Sequence, residues 1–528
     1  MIVVLVGFMG AGKTTVGHIL AERLGIPFVD SDLVIEQQLG RPIRDVFATE
    51  GESYFRDLEY QTVASLVRGQ DAVVALGGGA LGDARTRTVL RNPRVVYLRV
   101  GYSEAMTRVA TDEFRPLLHR PDLEDIYRAR LSVYEDLAAI TIDTDGRRPD
   151  AVAMDVLAAT TQLPSLPGDG ASVFVTPVGG VYYSHIGPDL LDHVSGLLPA
   201  VPEAERAVII EGVDDEAVAA RVADQLQSLG LMTARVRVVD DQPSKTLAAY
   251  EVVVEALVDN AIHKGDLVVA VGGEAVCELA GFVAATFNRG MKLALVPTTL
   301  VAQADSSVGG KNGINLSRGH NLLGAIHQPI AVISDVNLAC ANRGRGYRSG
   351  LAEIAKHALI SPSDLMDFVL ANASRIRAGD NDVIRDVLTR SIEIKADIVS
   401  RDEREQGDRV YLNYGHTFAH AMDLVRGLSL GEDSDSLPLG LMAAAYLARR
   451  HGRVGDSVVE RQRELLTALG LPTAGTFTFS EMQEAWSRDK KYNRGVRFVV
   501  LNGLGIPEGG VSADDATLTG VLDDLARG

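Results

Sequence analysis

The feature that most constrains this chain is a glycine-rich loop placed directly after the first predicted strand. Ile2 to Val6 form a short apolar run, and Gly7-Phe8-Met9-Gly10-Ala11-Gly12-Lys13-Thr14 follows it. The spacing G-x-x-x-x-G-K-T between a strand and a helix is typical of a loop that wraps the phosphates of a nucleotide. Glycines let backbone N–H groups turn inward, and the predicted helix Thr14 to Leu24 directs its positive N-terminus at the same anion. The stretch predicts a nucleoside triphosphate site.

Lys13 and Thr14 have separate roles in this site. Lys13 would reach the β and γ phosphates, and Thr14 would place its hydroxyl on Mg²⁺. We therefore expect ATP with Mg²⁺ to bind at the loop and the first helical turn, at Gly10, Ala11, Gly12, Lys13, Thr14 and Thr15.

Apolar strand-like runs alternate with helix-length stretches through the first part of the chain. This pattern predicts an α/β fold with a parallel sheet, whose sites collect just after the strands. Asp30-Ser31-Asp32 follows one such run, and Gly77-Gly78-Gly79 follows another. One aspartate, Asp30 in our assignment, could help hold Mg²⁺, and the other could accept a proton from a substrate hydroxyl. A helix N-cap is the alternative for this pair.

Composition limits the class of protein. The chain has 528 residues, a formal net charge of −18 and two cysteines, Cys277 and Cys340. A prior of about 150 residues per domain suggests about three domains. The charge argues against nucleic-acid and membrane partners, and two cysteines supply neither a disulfide framework nor a cysteine metal cluster. With no basic leader and no apolar run of about 20 residues, we expect a cytoplasmic protein.

Further motifs in the first segment carry a resemblance to a known family. They are Gly51-Glu52-Ser53-Tyr54-Phe55-Arg56, Arg115-Pro116-Leu117-Leu118, and Arg130 four residues before Tyr134. With the phosphate loop, the aspartates and the triglycine, they resemble shikimate kinase across the whole segment. The resemblance implies a P-loop fold that transfers phosphate from ATP to shikimate, with Asp32 as the base on the attacking hydroxyl.

The same resemblance gives roles to the remaining residues. Arg56 and Arg130 would clamp the shikimate carboxylate, because a guanidinium fork suits bidentate recognition. Arg115 would close over the γ-phosphate and neutralise charge as it develops. Further substrate contacts would come from Gly77, Gly78 and Gly79.

A change of composition separates two parts of the chain. Pro164, Pro167, Gly168 and Gly170 punctuate a polar stretch, which predicts a linker. Beyond it, strands and helices alternate, and mostly helical periodicity follows from about Gly344. The predicted domains are 1–163, an α/β lobe at 172–340 and a helical lobe at 341–528, with the linker at 164–171. Any site of the second part should lie between its lobes.

Several motifs in the second part indicate cofactor and metal chemistry. Val271-Gly272-Gly273-Glu274 follows a strand and precedes a helix predicted from Leu279 to Phe287, which is the outline of a dinucleotide-binding turn. Pro297 to Lys311 is a long polar loop. His416 and His420 share one helix face, and Glu353 lies on another predicted helix. Two histidines with a distant glutamate are a plausible zinc constellation.

These motifs belong to a longer series that resembles 3-dehydroquinate synthase from Val173 to Pro507. The resemblance implies an NAD-binding α/β lobe and a helical metal lobe, which convert 3-deoxy-D-arabino-heptulosonate 7-phosphate into 3-dehydroquinate with release of phosphate. It implies NAD⁺ and Zn²⁺, or Co²⁺, as cofactors and suggests a homodimer through this half. The matching runs are Leu279-Ala280-Gly281-Phe282, Pro297 to Lys311, His327-Gln328-Pro329, Arg348 to Glu353, Lys395 to Val399, Leu412 to His420, and Asp489-Lys490-Lys491.

The resemblance also implies a set of site residues. The metal ligands would be Glu353, His416 and Asp433, and the catalytic residues Lys311, Lys356, His420 and Asp305. Arg289, Lys395, Arg409 and Asn413 would bind the substrate, and the cofactor would contact Gly272, Gly273, Glu278, Thr298, Thr299 and Lys311.

Several positions depart from the family's pattern. Asp433 stands where the family has a histidine ligand, Glu274 replaces a third glycine and Glu278 replaces an aspartate. A carboxylate ligand changes the Lewis acidity of the metal, and Glu274 brings negative charge near a pyrophosphate. Gln242, Asn312 and His320 likewise replace a glutamate, a threonine and a lysine.

The sequence thus predicts a kinase fused to a cyclase, both acting in the shikimate pathway. Two alternatives keep the kinase but make the larger part a catalytically silent scaffold, or a cyclase for another phosphorylated sugar. A third makes the first segment a nucleotide-dependent switch. Arg56, Arg130 and Asp32 argue against the switch, because a switch does not need a carboxylate clamp around an acceptor hydroxyl.

Overall fold

The computed structural model describes residues 2–24, 26–68, 71–90, 95–109, 122–161, 166, 170–175, 177, 182–316, 319–341, 343–428, 435–488 and 495–528. The chain divides into two compact units, Met1–Ser165 and Leu166–Gly528. The division falls within the predicted linker.

The first unit alternates strands and helices along the chain. Its strands are β1 (Ile2–Val6), β2 (Phe28–Asp30), β3 (Ala72–Ala75), β4 (Val95–Arg99) and β5 (Ile140–Asp143). Its helices are α1 (Lys13–Leu24), α2 (Ser31–Leu39), α3 (Ile43–Thr49), α4 (Gly51–Val67), α5 (Ala84–Val89), α6 (Tyr102–Val109), α7 (Leu123–Leu137) and α8 (Pro149–Thr161).

The five strands form a parallel sheet in the order β2-β3-β1-β4-β5. Val3, Val4, Leu5 and Val6 are all buried, so β1 is covered on both faces, as central strands of parallel sheets are. The parallel arrangement brings the loops after β1, β2 and β3 to one edge of the sheet. That edge carries the phosphate loop, the paired aspartates and the triglycine.

The second unit begins with a larger sheet. Its strands are β6 (Ala171–Val175), β7 (Tyr182–Gly187), β8 (Arg206–Gly212), β9 (Met232–Val238), β10 (Leu267–Gly272), β11 (Lys292–Pro297), β12 (Lys311–Leu316), β13 (Gly319–Ile326), β14 (Ala331–Asp335), β15 (Phe498–Leu501) and β16 (Pro507–Val511). The seven-stranded sheet has the order β6-β7-β14-β11-β10-β8-β9, and only β6 runs antiparallel to its neighbour. The pairs β12–β13 and β15–β16 are separate hairpins.

Helices dominate the rest of the second unit. Those interspersed with the strands are α9 (Val194–Leu197), α10 (Glu216–Ser228), α11 (Leu247–Asp259), α12 (Glu274–Thr286) and α13 (Val336–Ala341). The helical lobe contains α14 (Arg345–Ile360), α15 (Leu365–Ala378), α16 (Asn381–Arg401), α17 (His416–Val425), α18 (Ser436–Arg450), α19 (Asp456–Ala468), α20 (Phe479–Arg488) and α21 (Asp515–Arg527).

The predicted fold class is confirmed, with local differences at element ends. The helix expected from Leu279 to Phe287 begins earlier, at Glu274. Nine of its residues are buried, so there is no polar stripe to show where the helix begins. No helix in the described ranges has both the length and the apolar character needed to span a membrane.

Candidate functional site

The backbone of the phosphate loop adopts positive φ angles at two of its glycines. Gly10 and Gly12 have φ of 78° and 88°, a region that other residues rarely adopt. A Cβ at Gly10 would lie 2.7 Å from the Ala105 carbonyl oxygen. Lys13, the first residue of α1, donates from Nζ to the Gly7 carbonyl at 2.7 Å. The loop therefore holds its lysine close to the position where phosphates would bind.

Other predicted nucleotide residues lie around the same loop. Thr14 and Thr15 are exposed in the first turn of α1, whereas Ala11 is buried beneath the loop. Arg108 on α6, which the sequence did not single out, donates to the Gly10 carbonyl at 3.2 Å and to the Thr144 carbonyl at 2.6 Å. Nothing in the local sequence marks Arg108, because its partners are distant along the chain.

The triglycine is the point where the predicted acceptor residues meet. A Cβ at Gly77 would lie 2.2 Å from Asp32 Oδ1, and a Cβ at Gly79 would lie 2.7 Å from Arg56 Nη1. Arg130 donates from Nη1 to the Gly78 carbonyl at 2.6 Å. At positions 77 and 79 a side chain would therefore crowd Asp32 or Arg56, whereas a Cβ at Gly78 would lie 3.9 Å from Arg130 Nη1, an ordinary contact. The structure thus brings together Asp32, Arg56 and Arg130 around Gly77-Gly78-Gly79.

The two aspartates after β2 are held differently. Asp30 Oδ1 accepts from the Asp32 backbone N–H at 3.0 Å and caps α2, so the N-cap alternative holds for Asp30. Asp32 Oδ1 is buried and has no hydrogen-bond partner among the described residues. Burial, followed by the charge of Asp30, raises the pKa of Asp32 to about 6. The Asp32 carboxylate is therefore suited to accept a proton near neutral pH.

Glu59 is a buried member of this site that the sequence analysis missed. Arg56 Nη1 donates to Glu59 Oε2 at 2.6 Å, and Glu59 is only 2% exposed. Burial outweighs the attraction of Arg56 and raises the pKa of Glu59 to about 7. The spacing of three residues on α4 was the available signal, since residues i and i+3 of a helix face one another. Arg115, the predicted lid arginine, lies outside the described residues.

The second unit has a charged cluster built by four separate segments. Asp305 comes from the turn Ala302–Ser306, Glu353 and Lys356 from α14, Lys395 from α16, and His416 from α17. Lys395 Nζ lies 2.7 Å from Asp305 Oδ1, and Lys356 Nζ lies 3.5 Å from the same oxygen. Lys356 also forms an ion pair with Glu353. Five predicted site residues thus converge.

The electrostatics of this cluster follow from burial and pairing. Burial alone would raise the pKa of Asp305, but Lys356 and Lys395 hold that pKa well below its usual range. At Lys395 the effect of burial is larger than the effect of the Asp305 charge, so the pKa of the ammonium is lowered to about 8. His357, which the sequence analysis missed, is fully buried, and burial lowers its pKa to about 4.

Two of the predicted metal ligands are placed to share an ion. His416 Nε2 lies 3.4 Å from Glu353 Oε1, a separation expected for two tetrahedral zinc ligands. Carboxylate oxygen and imidazole nitrogen both suit zinc, so this pair fits the metal. Asp305, Glu353 and His357 also form a possible group, but the two ammonium groups on Asp305 would repel a cation. Asp433 lies outside the described residues.

The remaining predicted residues of the second unit lie on several different elements. The His420 ring centroid is 5.5 Å from that of His416. Arg409 is 2% exposed and donates from Nη2 to the Gly309 carbonyl at 2.7 Å, which ties it to the polar loop before β12. Glu405, another missed residue, accepts from Lys311 at 2.5 Å and from Asn413. Arg289 ends the turn Phe287–Arg289 with φ of 64°.

The predicted cofactor residues surround the N-terminus of α12. Gly272 ends β10, Gly273 precedes α12, and the Gly272 carbonyl accepts from the Thr298 N–H at 2.9 Å. Thr299 Oγ1 accepts from Ala302 N at 3.3 Å. Glu278, expected on the cofactor, is paired with the buried Lys245, a residue the sequence analysis did not select.

Asp240 decides whether a dinucleotide fits this turn. Its Oδ1 accepts from the Val276 N–H at 3.2 Å, and its Oδ2 accepts from the Gly273 N–H. These are the N–H groups that a pyrophosphate would need at a helix N-terminus. The bare backbone of Gly272 and Gly273 fits a dinucleotide once the Asp240 side chain has moved away.

Comparison with known families agrees with this arrangement. Residues 9–161 match the family model "Shikimate kinase". Residues 235–345 match "3-dehydroquinate synthase N-terminal", and residues 350–492 match "3-dehydroquinate synthase C-terminal".

Comparison with individual proteins also identifies relatives of the larger unit among the 3-dehydroquinate synthases. The chain is 40% identical to the 3-dehydroquinate synthase of Geobacter metallireducens over 54% of this chain and 79% of that protein. It is 37% identical to the enzyme of Halorhodospira halophila over 64% of this chain and 92% of that protein. A structure of 2-deoxy-scyllo-inosose synthase complexed with carbaglucose-6-phosphate, NAD⁺ and Co²⁺ shares the fold, with a TM-score of 0.61 and 21% identity. That match covers 67% of this chain and 99% of the other. The chain therefore belongs to the 3-dehydroquinate synthase family and carries a shikimate kinase domain ahead of its synthase domains.

Proposed function

We propose that the first unit phosphorylates shikimate at the expense of ATP. The observation that carries this proposal is the convergence of Asp32, Arg56 and Arg130 on the triglycine. The two guanidinium groups provide a clamp for a carboxylate, and Asp32 would take the proton of the attacking hydroxyl. Lys13 and Thr14 would hold the phosphates and Mg²⁺. Such an acceptor site has no use in a nucleotide-dependent switch.

Formation of ADP by the full chain tests this proposal. With ATP and Mg²⁺, ADP should appear on addition of shikimate and stay at background without it. The methyl ester of shikimate is the matched control, because it lacks the carboxylate that Arg56 and Arg130 would bind. Equal rates with the ester and the acid would contradict the clamp, and shikimate-independent turnover would favour the switch.

We propose as a second function that the larger unit converts 3-deoxy-D-arabino-heptulosonate 7-phosphate into 3-dehydroquinate. The observation that favours it is the cluster of Asp305, Glu353, Lys356, Lys395 and His416. Glu353 and His416 would hold Zn²⁺ or Co²⁺, which polarises an alcohol when bound. The buried ammonium groups of Lys356 and Lys395 would orient the acidic substrate, and NAD⁺ would bind at α12.

Release of inorganic phosphate tests this second function. The full chain with NAD⁺ and zinc should release phosphate from the heptulosonate phosphate and form dehydroquinate, and a chelator-treated sample should not. Failure in a sample with intact shikimate kinase activity would favour the alternatives, a silent scaffold or another sugar phosphate. Asp433→His should raise the zinc affinity if residue 433 reaches the metal, and unchanged affinity would exclude it as a ligand.

We also propose that a second copy of the chain binds to the larger unit. Apolar side chains are exposed on α11, such as Val252 and Val258, and on the β12–β13 hairpin, such as Leu322 and Leu323. Sedimentation equilibrium should give twice the mass of the chain, and a monomer at micromolar concentration would contradict the proposal.

A further inference from the structure

The dinucleotide crevice is lined by carboxylates that come from several elements. Asp240 follows β9 and already accepts the Gly273 and Val276 N–H groups. Glu274 is the first residue of α12, the helix end where Asp240 accepts from the Gly273 N–H. Asp215 follows β8 and lies near Asp240, since a Cβ at Gly212 would be 2.6 Å from Asp215 Oδ2 and 3.3 Å from the Asp240 Cβ. The protein thus places the Asp240 carboxylate on the amides where a dinucleotide would place its pyrophosphate.

Among the described residues with the largest influences on Asp240, Asp215 and Glu274, the one cation is Lys245, which acts on Glu274. Lys245 is 1% exposed and is shared between Glu278 and the amide oxygen of Asn321, the latter at 2.7 Å. Burial lowers the pKa of Lys245 to about 8, so its ammonium group loses its proton more readily than an exposed lysine does. The other titratable groups with the largest effects on Asp240, Asp215 and Glu274 are acidic: Glu211, Asp214, Asp241, Asp305 and Glu353. Two of them carry their own cations, since Arg235 and Arg237 pair with Glu211, and Lys356 and Lys395 pair with Asp305.

The crevice already resists ionisation before any ligand arrives. Burial, with the charge of Asp240 as the next cause, raises the pKa of Asp215 to about 6. Burial also raises the pKa of Asp240 and of Glu274. A pyrophosphate brought among these groups would raise their pKa values further, because like charges disfavour the ionised forms.

We propose that this crevice binds NAD⁺ together with protons: the pyrophosphate takes the α12 amides from Asp240, and the displaced carboxylate and Glu274 are protonated in the complex. The inference rests on the proposed cyclase function, since it concerns the same cofactor. It makes Asp240 a competitor for the phosphate position rather than a ligand of the cofactor. It also gives a definite consequence to the replacement of the family's glycine by Glu274, namely that this side chain is protonated in the NAD⁺ complex.

The sign of the effect follows from linkage. A complex that holds more protons than the free protein is favoured at low pH and weakened as pH rises. For each proton taken up, the Kd for NAD⁺ should increase about tenfold per pH unit. Between pH 6 and 8 the expected change is therefore about 100-fold for uptake of one proton and up to about 10⁴-fold if both carboxylates take up a full proton.

Isothermal titration of NAD⁺ into the full chain measures both quantities directly. Titrations from pH 5.5 to 8.5 give the Kd, and titrations at pH 7.5 in HEPES and in Tris give the number of protons from the difference in buffer heat. Glu274→Gln should tighten NAD⁺ at pH 8 by at least tenfold and reduce the proton uptake. Asp240→Asn should act in the same direction.

Asp241→Asn is the matched control. Asp241 is exposed, accepts from Ser244 N at 2.7 Å and lies next to Asp240 without bonding to α12. It should leave the pH dependence of Kd close to wild type. A thermal melt of each variant reports folding, and Glu274→Gln provides the test if Asp240→Asn does not fold.

The outcomes separate the inference from the proposed function. A Kd that does not change with pH, with no proton uptake, would overturn the inference and leave the cyclase proposal standing. Absence of NAD⁺ binding at every pH would overturn both. Equal loss of proton uptake in Asp241→Asn and Glu274→Gln would show that the acidic surface as a whole, rather than these two groups, is responsible, and would also overturn the inference.

Discussion

At the scale of single residues, the environment of Asp32 bears most directly on chemistry. Its carboxylate is buried and unbonded at Oδ1 among the described residues, and burial raises its pKa to about 6. As a base it must be ionised, so kcat/KM for shikimate should be constant above pH 7 and fall about tenfold per unit well below pH 6. Asp32→Asn should lower kcat by about 10² to 10⁴. A coupled ADP assay from pH 5 to 8 checks both, and a flat wild-type profile would exclude Asp32 as the base.

Glu59 leads to a second prediction at this scale. Glu59→Gln removes the charge that holds Arg56 at 2.6 Å, and hydrogen bonds between charged groups contribute about 1.5 to 3 kcal/mol. The KM for shikimate should rise about tenfold at pH 8 with little change in kcat, because binding rather than the chemical step is affected.

The pH dependence of this effect has a definite sign. Burial raises the pKa of Glu59 to about 7, so the charge pair is present above that pH and is lost below it. The variant and the wild type should therefore have the same KM at pH 5.5. Glu52→Gln is the control, since Glu52 also pairs with Arg56, at 3.1 Å, but is 69% exposed. An exposed pair contributes little, so a large effect in Glu52→Gln would contradict this account.

Some residues of the two sites could be identified from the sequence, and others could not. Lys13 was selected from the spacing of its loop, and Arg56 and Arg130 were selected through the resemblance to shikimate kinase. Lys245 and Glu278 are 33 positions apart, and Lys245 and Asn321 are 76 apart, so their contacts depend on the tertiary fold. Asp240 was missed for the same reason, because its role arises only where the end of β9 meets α12.

At the scale of elements, the triglycine can be tested against a neighbouring glycine. Gly79→Ala would place a Cβ 2.7 Å from Arg56 Nη1, so the arginine must move away from its position. We expect kcat/KM for shikimate to fall by about fivefold to 150-fold, since such crowding costs about 1 to 3 kcal/mol. Gly82→Ala meets nothing within 4 Å and should resemble wild type. Equal activity of the two variants would show that Arg56 does not need its present position.

Strands were easier to predict than helix ends, for a physical reason. Many buried parallel strands are short runs rich in β-branched residues bounded by glycine or aspartate, and β1 and β10 fit this description. Helices buried on most sides lack an amphipathic pattern, so the start of α12 was misplaced. The cap that fixes this start is a side chain from another element.

At the scale of the whole molecule, each unit is packed around its own apolar core. Val3, Leu5 and Val96 belong to a cluster made only of first-unit residues, and Val208, Val268 and Leu293 belong to clusters of the second. The composition of the linker predicted two separate parts of the chain, because a segment of proline and glycine without apolar periodicity cannot pack into a hydrophobic core. Whether the two sites influence each other cannot be read from sequence, since coupling depends on differential contacts between states.

Lys13→Ala tests this independence. The substitution removes the ammonium that lies 2.7 Å from the Gly7 carbonyl and would face the phosphates, so ADP formation should fall at least about 10²-fold. Phosphate release from the heptulosonate phosphate should stay within about twofold of wild type, because the second unit retains its own core. A calorimetric scan should show only the transition of the first unit shifted, if either shifts. Loss of both activities with an unchanged melting profile would mean that the units are energetically coupled, which two separately packed cores do not predict.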